Sequence, residues 1–385
     1  MALDPATLNQ LLDTVRRFVA QRLRPLEAEV AREDRIPPGV VEEMKSLGLF
    51  GLTIPEQYGG LGLNTEEEAR VVMELGRTSP AFRSVIGTNN GIGSQGLVMD
   101  GTEEQKLHYL PRMASGEVIG SFALTEPDAG SDAGSVRTRA TPHQSGFLLD
   151  GTKRYITNAP EAQLFTVFAR TNPDESGARG VSAFLVDAET PGIELGKNDR
   201  KMGQQGAHVC DVNFQECWVP ESAILGGPDM LNRGFETAMK TLDRGRLHIS
   251  ALAVGCAERL LEDSLNYAME RKQFGQPIAQ FQLIQAMLAD SKTESYAGRC
   301  MVLDAAQRRD GGETVTTLAS CCKVFCSEMV GRVADRAVQI FGGAGYMEEY
   351  GIERFYRDVR LFRIYEGTTQ IQQTLVARNM IREAG

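Results

Sequence analysis

RIYEGTTQIQQ, residues 363–373, sets a single carboxylate, Glu366, between Tyr365 and Gly367 near the end of a 385-residue chain. A carboxylate flanked by Ile364 and Tyr365 loses water, which raises its pKa toward neutrality and suits it to act as a base. The glycine that follows has no side chain, so a ligand can come close to the backbone there. The stretch reads as a place where a base meets a carbon acid. Most glutamates in a chain of this size are solvated surface charges, so that reading needs support from other segments.

Support comes from four segments upstream: FALTEPDAGSD (122–132), KRYITN (153–158), MERKQFGQPIAQFQ (269–282) and QIFGGAGY (339–346). After Pro127 the run Asp-Ala-Gly-Ser-Asp is a polar turn whose N–H groups can face an anion. Arg271 is an always-charged guanidinium suited to a diphosphate, or else to an ion pair on a helix surface. In this order and spacing, the four segments and RIYEGTTQIQQ resemble the acyl-CoA dehydrogenase family, flavoenzymes that desaturate acyl thioesters. The resemblance runs over essentially the whole chain.

Composition fits a large folded protein. At 42% hydrophobic residues the chain can bury a sizeable core, and its length suggests two or three domains. A net charge of -10 argues against nucleic acid or an anionic membrane surface as the main partner. The longest apolar runs, such as 249–256, are too short to span a bilayer, and MALDPATLNQ is not a secretion signal, so a soluble, cytoplasmic protein is expected. Seven cysteines without a Cys-x-x-Cys pair, beside four histidines, support neither a disulfide framework nor a metal site. Cys322 and Cys326, four apart, read as one buried helix face.

The hydrophobic period changes twice. Residues 1–117 show helical spacing (Leu11, Leu12, Val15, Phe18, Val19), 118–229 show strand-like runs near 146–150, 164–168, 182–186 and 209–214, and 230–385 return to helical spacing. An α+β protein of three domains follows, with boundaries near 117 and 229. The resemblance implies a barrel-like or sandwich β domain in the middle and a C-terminal four-helix bundle. Gly91-Ile-Gly-Ser-Gln-Gly96 matches a dinucleotide fingerprint, but no apolar strand runs into it and no βαβ period surrounds it. The resemblance assigns it instead to a helix lining the acyl pocket.

The resemblance also implies an FAD site. Phe122, Leu124, Thr125, Gly130 and Ser131 would contact the flavin, with Leu124 and Thr125 read as a strand end and Ser131 also near the substrate. Tyr155 and Thr157 would pack on the other side of the ring, where many relatives carry Trp in place of Tyr155. Arg271, Phe274 and Gln282 would reach the flavin of a neighbouring subunit, while Gln339, Gly342, Gly343, Thr368 and Gln370 hold its adenosine half. A homo-oligomer, usually a dimer of dimers, is implied.

By the same likeness Glu366 removes the α-proton of an acyl-CoA while the β-hydrogen leaves as hydride to flavin N5. The thioester oxygen would be held by the backbone N–H of that glutamate and by a ribityl hydroxyl, and the electrons would pass to electron-transferring flavoprotein. Some relatives place the base at the position of Gly245, which here has no side chain. Asp243 and Arg246 resemble CoA-contacting residues, Arg246 being otherwise a helix-surface cation. Residues 81–96 with Phe235 and Met239 should floor the acyl pocket, with Asn89 where a relative has an acidic residue, and Gly367 beside the bound thioester. Arg83-Ser84 resembles the pair that holds a distal carboxylate in glutaryl-CoA dehydrogenases. A buried arginine must meet a substrate carboxylate or a protein acid, and Glu126, Asp128 and Glu74 are candidates. The leading expectation is a neutral straight, methyl-branched or terpenoid chain, citronellyl-CoA included. A glutaryl-type decarboxylating enzyme and a non-catalytic acyl-CoA-binding flavoprotein are the alternatives.

Overall fold

The computed structural model describes residues 2–385. Seven helices come first: α1 (Pro5–Phe18), α2 (Glu27–Glu33), α3 (Pro38–Ser46), α4 (Thr65–Leu75), α5 (Pro80–Asn90), α6 (Gln95–Asp100) and α7 (Glu103–Ser115). Local chemistry starts several of them. Asp4 accepts from the N–H groups of Ala6 and Thr7, and Asn64 and Thr102 each form a reciprocal capping box, with Glu67 and Gln105. The apolar faces meet in a core of Val15, Phe18, Leu23, Met44, Phe50, Val71 and Phe82.

The middle of the chain forms seven strands: β1 (Gly120–Ala123), β2 (Arg139–His143), β3 (Gly146–Thr157), β4 (Leu164–Arg170), β5 (Val181–Asp187), β6 (Ile193–Leu195) and β7 (Val209–Pro220). They pair in the order β1-β4-β2-β3-β7-β6, with β5 also on β4. β1 and β4 run parallel, and β2–β3, β3–β7, β4–β5 and β6–β7 antiparallel. Alternation explains why β4 and β5 are apolar almost throughout. Leu164, Phe168, Val181, Ala183 and Leu185 pack with Leu97, Leu110 and Met113 of the N-terminal helices, while Phe165, Val167, Phe184 and Val186 pack with Phe147, Leu149 and Val219. The sheet is therefore covered on one face by α6 and α7.

The C-terminal part holds α8 (Gly234–Glu270), a short hairpin of β8 (Lys272–Gln273) and β9 (Gln276–Pro277), α9 (Gln282–Asp310), α10 (Thr316–Phe341), α11 (Ile352–Val359) and α12 (Thr369–Ala384). α8, α9 and α10 pack against one another, α12 packs on α10, and α4 packs on α8 and α9. Two glycines bring α4 and α8 together: a Cβ on Gly76 would meet the Leu252 carbonyl at 2.6 Å, and one on Gly255 would meet Gly76 Cα at 2.8 Å. Leu252, Cys256, Leu260, Val302, Cys322, Cys326 and Val330 fill this core. Each buried side chain of this size is worth about 1.5–3 kcal/mol.

The fold is thus a helical N-terminal part, a middle β part and a helical C-terminal part. Two local expectations are corrected. β1 ends at Ala123, so Leu124 and Thr125 lie beyond the strand, in a loop closed by the Glu126–Ala129 bridge. Gly91–Ser94 form a turn between α5 and α6, because α5 ends at Gly91 with φ -129 and ψ -114, outside the helical region. No helix of the described residues is long and apolar enough to cross a membrane, and among those residues no cluster of His, Cys, Asp and Glu could hold a metal ion.

Candidate active site

A cavity of about 580 Å³ opens between the sheet, the N-terminal end of α8 and α12. Its β wall carries Phe122, Leu124, Thr125, Gly130, Ser131, Tyr155 and Thr157, all seven expected there from the sequence. Helix α8 contributes Phe235, Met239, Leu242 and Arg246, and α12 contributes Ile371, Thr374, Leu375 and Arg378. Both sets recur at three and four residues, so each is a single helix face. A Cβ on Gly130 would have nothing within 4 Å, which leaves that edge open to a ligand. Tyr155 is 63% exposed with φ at 59, beside a register shift between β3 and β7. An apolar wall with a flat aromatic, a few hydroxyls and bare backbone fits one end of a flavin.

Glu366 sits where this cavity meets a second chamber of about 70 Å³, and it lines both. Its φ is 55 and that of Gly367 is 84, so the chain makes a left-handed turn here before Thr368 caps α12 by accepting from the N–H of Ile371. Two side chains hold the turn. Lys323, fully buried on α10, donates to the Gly367 carbonyl at 2.5 Å, and Gln372 donates to the Glu366 carbonyl at 3.0 Å. Gly367 suits the turn, because side chains rarely adopt its φ of 84 and a Cβ there would also press on the Gln372 amide.

Burial pushes the Glu366 carboxyl up to about 7, and the charges of Arg246, Arg83 and Lys323 pull against that rise. One carboxylate oxygen, Oε2, has no hydrogen-bond partner. Burial likewise lowers Lys323 to about 8, with Glu366 opposing. Gly245 faces the carboxylate directly, since a Cβ there would lie 2.8 Å from Glu366 Oε2. The two positions at which the resemblance would place a base, 245 and 366, therefore face each other across one small space.

Beneath the β wall, Lys153 is wholly buried and donates to Glu126 at 2.8 Å and to the Leu124 carbonyl at 3.2 Å. Glu126 also accepts from the N–H groups of Arg137 and Thr138, which fixes the loop bearing Thr125, Gly130 and Ser131. Lys153, Lys323 and Gln372 were not singled out from the sequence. A lysine inside an otherwise apolar run, as in Cys321-Cys322-Lys323-Val324-Phe325, was the available signal.

The remaining expected residues separate. Arg246 is only 5% exposed and paired with Asp243 at 2.5 Å, so it is no surface cation. Asp243 also accepts from Thr316, and it lines neither chamber. Asn89 is not a pocket residue: its amide is fully engaged with the backbone of Met113, Val118 and Gly120. Arg83 lines the small chamber without an acid partner, because Glu126 pairs with Lys153, Asp128 with Arg137 and Glu74 with Arg16. Arg271, Phe274, Gln282, Gln339, Gly342, Gly343 and Gln370 are exposed and lie off the cavity, with Phe274 at 92% exposure. Thr368 also lies outside the lining.

Known proteins share this architecture. The family models for the N-terminal, middle and C-terminal domains of acyl-CoA dehydrogenase match residues 5–117, 121–217 and 232–381. An acyl-CoA dehydrogenase of Bacillus subtilis is 40% identical over 367 residues, covering 95% of this chain and 96% of its own. Butyryl-CoA dehydrogenase from Megasphaera elsdenii superposes with a TM-score of 0.94 at 34% identity, over 99% of both chains. A chain from a study of the electron-transferring flavoprotein of Acidaminococcus fermentans superposes equally well, at 35% identity and 99% coverage of both. With matches spanning all three parts, the chain belongs to the acyl-CoA dehydrogenase family of oxidoreductases, which act on CH–CH groups.

Proposed function

We propose that the protein is an FAD-dependent dehydrogenase that converts an acyl-CoA thioester to its trans-2-enoyl-CoA, with Glu366 as the base. The observation that carries this reading is a carboxyl with one unpartnered oxygen at the junction of an apolar cavity and a smaller chamber, where burial pushes its pKa up to about 7. FAD is the cofactor, held by Phe122, Leu124, Thr125, Gly130, Ser131, Tyr155 and Thr157. Bound there, it supplies the acceptor for the β-hydrogen and its electron pair.

The chain's own residues do the rest. Phe235, Met239 and Leu242 form an apolar wall that excludes water and keeps the carboxylate basic. Arg246, Lys323 and Arg83 hold enough positive charge nearby for Glu366 to ionise at neutral pH. The N–H of Glu366 has no acceptor among the described residues, so it is free to donate to the thioester oxygen as α-proton removal builds charge there. After transfer the proton rests on Glu366.

Arg271, Phe274 and Gln282, exposed and remote from the cavity, serve the flavin of a second subunit, and Gln339, Gly342, Gly343, Thr368 and Gln370 serve its adenosine half. A homodimer, paired into a tetramer, is the functional unit. Electron-transferring flavoprotein takes the electrons, as the likeness to the Acidaminococcus chain supports. Anaerobic mixing of the yellow protein with short, medium, long, branched, terpenoid and glutaryl acyl-CoAs tests the reading. Loss of the oxidised flavin band with one class is expected, and a flavin that no acyl-CoA bleaches would refute it. A chain with a polar far end is favoured by Arg83, which is buried with no acid partner.

A further inference from the structure

The small chamber of about 70 Å³ shares Ile92, Thr157, Tyr365 and Glu366 with the larger cavity. Its other wall carries Arg83 of α5 and His248 of α8, only 8% and 7% exposed. Four side chains lining it have buried polar atoms without a partner: Arg83 Nε and Nη2, His248 Nε2, the Tyr365 hydroxyl and Glu366 Oε2. So many unanswered groups around one space mark a site built for a polar group.

The hydrogen-bonding sense of His248 follows from its other contact. Glu68 receives Arg244 at 2.8 Å on Oε2 and His248 Nδ1 at 2.7 Å on Oε1. Burial pushes Glu68 up, but Arg244 and His248 outweigh it and hold the carboxyl at about 2, so it is ionised and only accepts. Nδ1 therefore carries the hydrogen. Burial and then the Arg83 charge push the imidazole pKa down, so the ring is neutral and Nε2 is a bare acceptor.

A methyl group would leave every one of these atoms unanswered. A carboxylate would accept from Arg83 but set its lone pairs against those of His248 Nε2 and Glu366 Oε2. A hydroxyl accepts from Arg83 and donates to Nε2 at once. We propose that the chamber is a subsite for the hydroxyl-bearing far end of a short acyl chain, with Arg83 as donor to that hydroxyl and His248 as its acceptor. The volume suits an end group with a few carbons and excludes a long chain. This rests on the dehydrogenase reading above and requires no further chemical step.

The test is anaerobic flavin reduction of the holoenzyme by two matched series: butyryl-, 4-hydroxybutyryl- and succinyl-CoA, and valeryl-, 5-hydroxyvaleryl- and glutaryl-CoA. In at least one series the hydroxyl member should exceed both others in kcat/KM, the methyl-ended one by about tenfold or more. That ratio should collapse in His248→Leu and return in part in His248→Gln, whose amide oxygen accepts. Equal or better reduction by the methyl-ended or carboxylate-ended chains overturns the subsite, as does a hydroxyl preference that His248→Leu leaves intact. Should His248→Leu lose its flavin, the wild-type ratio and its value in His248→Gln decide. Failure of all six thioesters and of the wider panel overturns the dehydrogenase reading as well, which separates the two failures.

Discussion

Lys153 with Glu126, under the loop of residues 124–138, and Arg83 with His248, behind the base, both bury charge, and they treat it in opposite ways. Glu126 takes Lys153 and two backbone N–H groups, and Lys153 also reaches a carbonyl, so these charges meet their partners within the chain. Around Arg83 and His248 the donors and acceptors face a chamber. The first arrangement fixes a wall, and the second keeps binding capacity in reserve at a cost in stability. Burial alone does not distinguish structure from function, whereas the presence or absence of partners does.

The largest effect should come from the open region. Glu366→Gln is expected to leave a folded, yellow protein whose acyl-CoA turnover falls by roughly three to four orders of magnitude, measured by stopped-flow flavin reduction. Near-normal turnover would remove Glu366 as the base. In the unaltered protein kcat/KM should rise with pH through about 7, because the carboxylate must be ionised to accept a proton. Stability should move the other way. The folded state holds this proton up to about 7 and the unfolded chain only to about 4.5, so stability falls as pH rises between those values. Glu366→Gln should remove that part of the pH dependence.

Breaking the closed region comes next. Lys153→Met strands Glu126 without its cation and should lower stability by about 3–5 kcal/mol in denaturant titration. Arg83→Met should act in the opposite direction, raising stability by about 1–2 kcal/mol because an unpartnered buried cation is gone. It should also move the pH midpoint of kcat/KM upward, since Arg83 is one of the charges that hold the Glu366 pKa down. Equal destabilisation by the two variants would erase the contrast between the regions. The smallest effect on folding is expected for exposed Arg271: Arg271→Ala should change chain stability by less than about 0.5 kcal/mol while FAD retention and assembly fall together, as read by the flavin-to-protein ratio and by sedimentation. A fully flavin-loaded variant would argue against a shared cofactor site.

Much of this was legible in the sequence because it is local. The helical periods and the strand runs follow from spacing, and the seven β-wall residues around the cavity from the family resemblance that the motifs carry. The partners of buried charges were not legible. Arg83 finds none of Glu126, Asp128 or Glu74, and His248 meets Glu68 from a position 180 residues away, a distance that periodicity cannot bridge. Asn89 looked like a pocket residue by position, yet three backbone partners absorb its amide. The α12 face of Ile371, Thr374 and Leu375 was open to discovery, since its spacing is helical and it follows directly on Glu366.

Gly245, opposite Glu366, bears on where an acid can stand in this fold. A Cβ at 245 would come within 2.8 Å of Glu366 Oε2, so the carboxylate would have to move aside before a side chain could stand there. An acid arriving at 245 first would force two carboxylates to compete for one proton, and losing the one at 366 first would leave none. A protein of this fold should therefore carry an acid at one of these two positions and not at both.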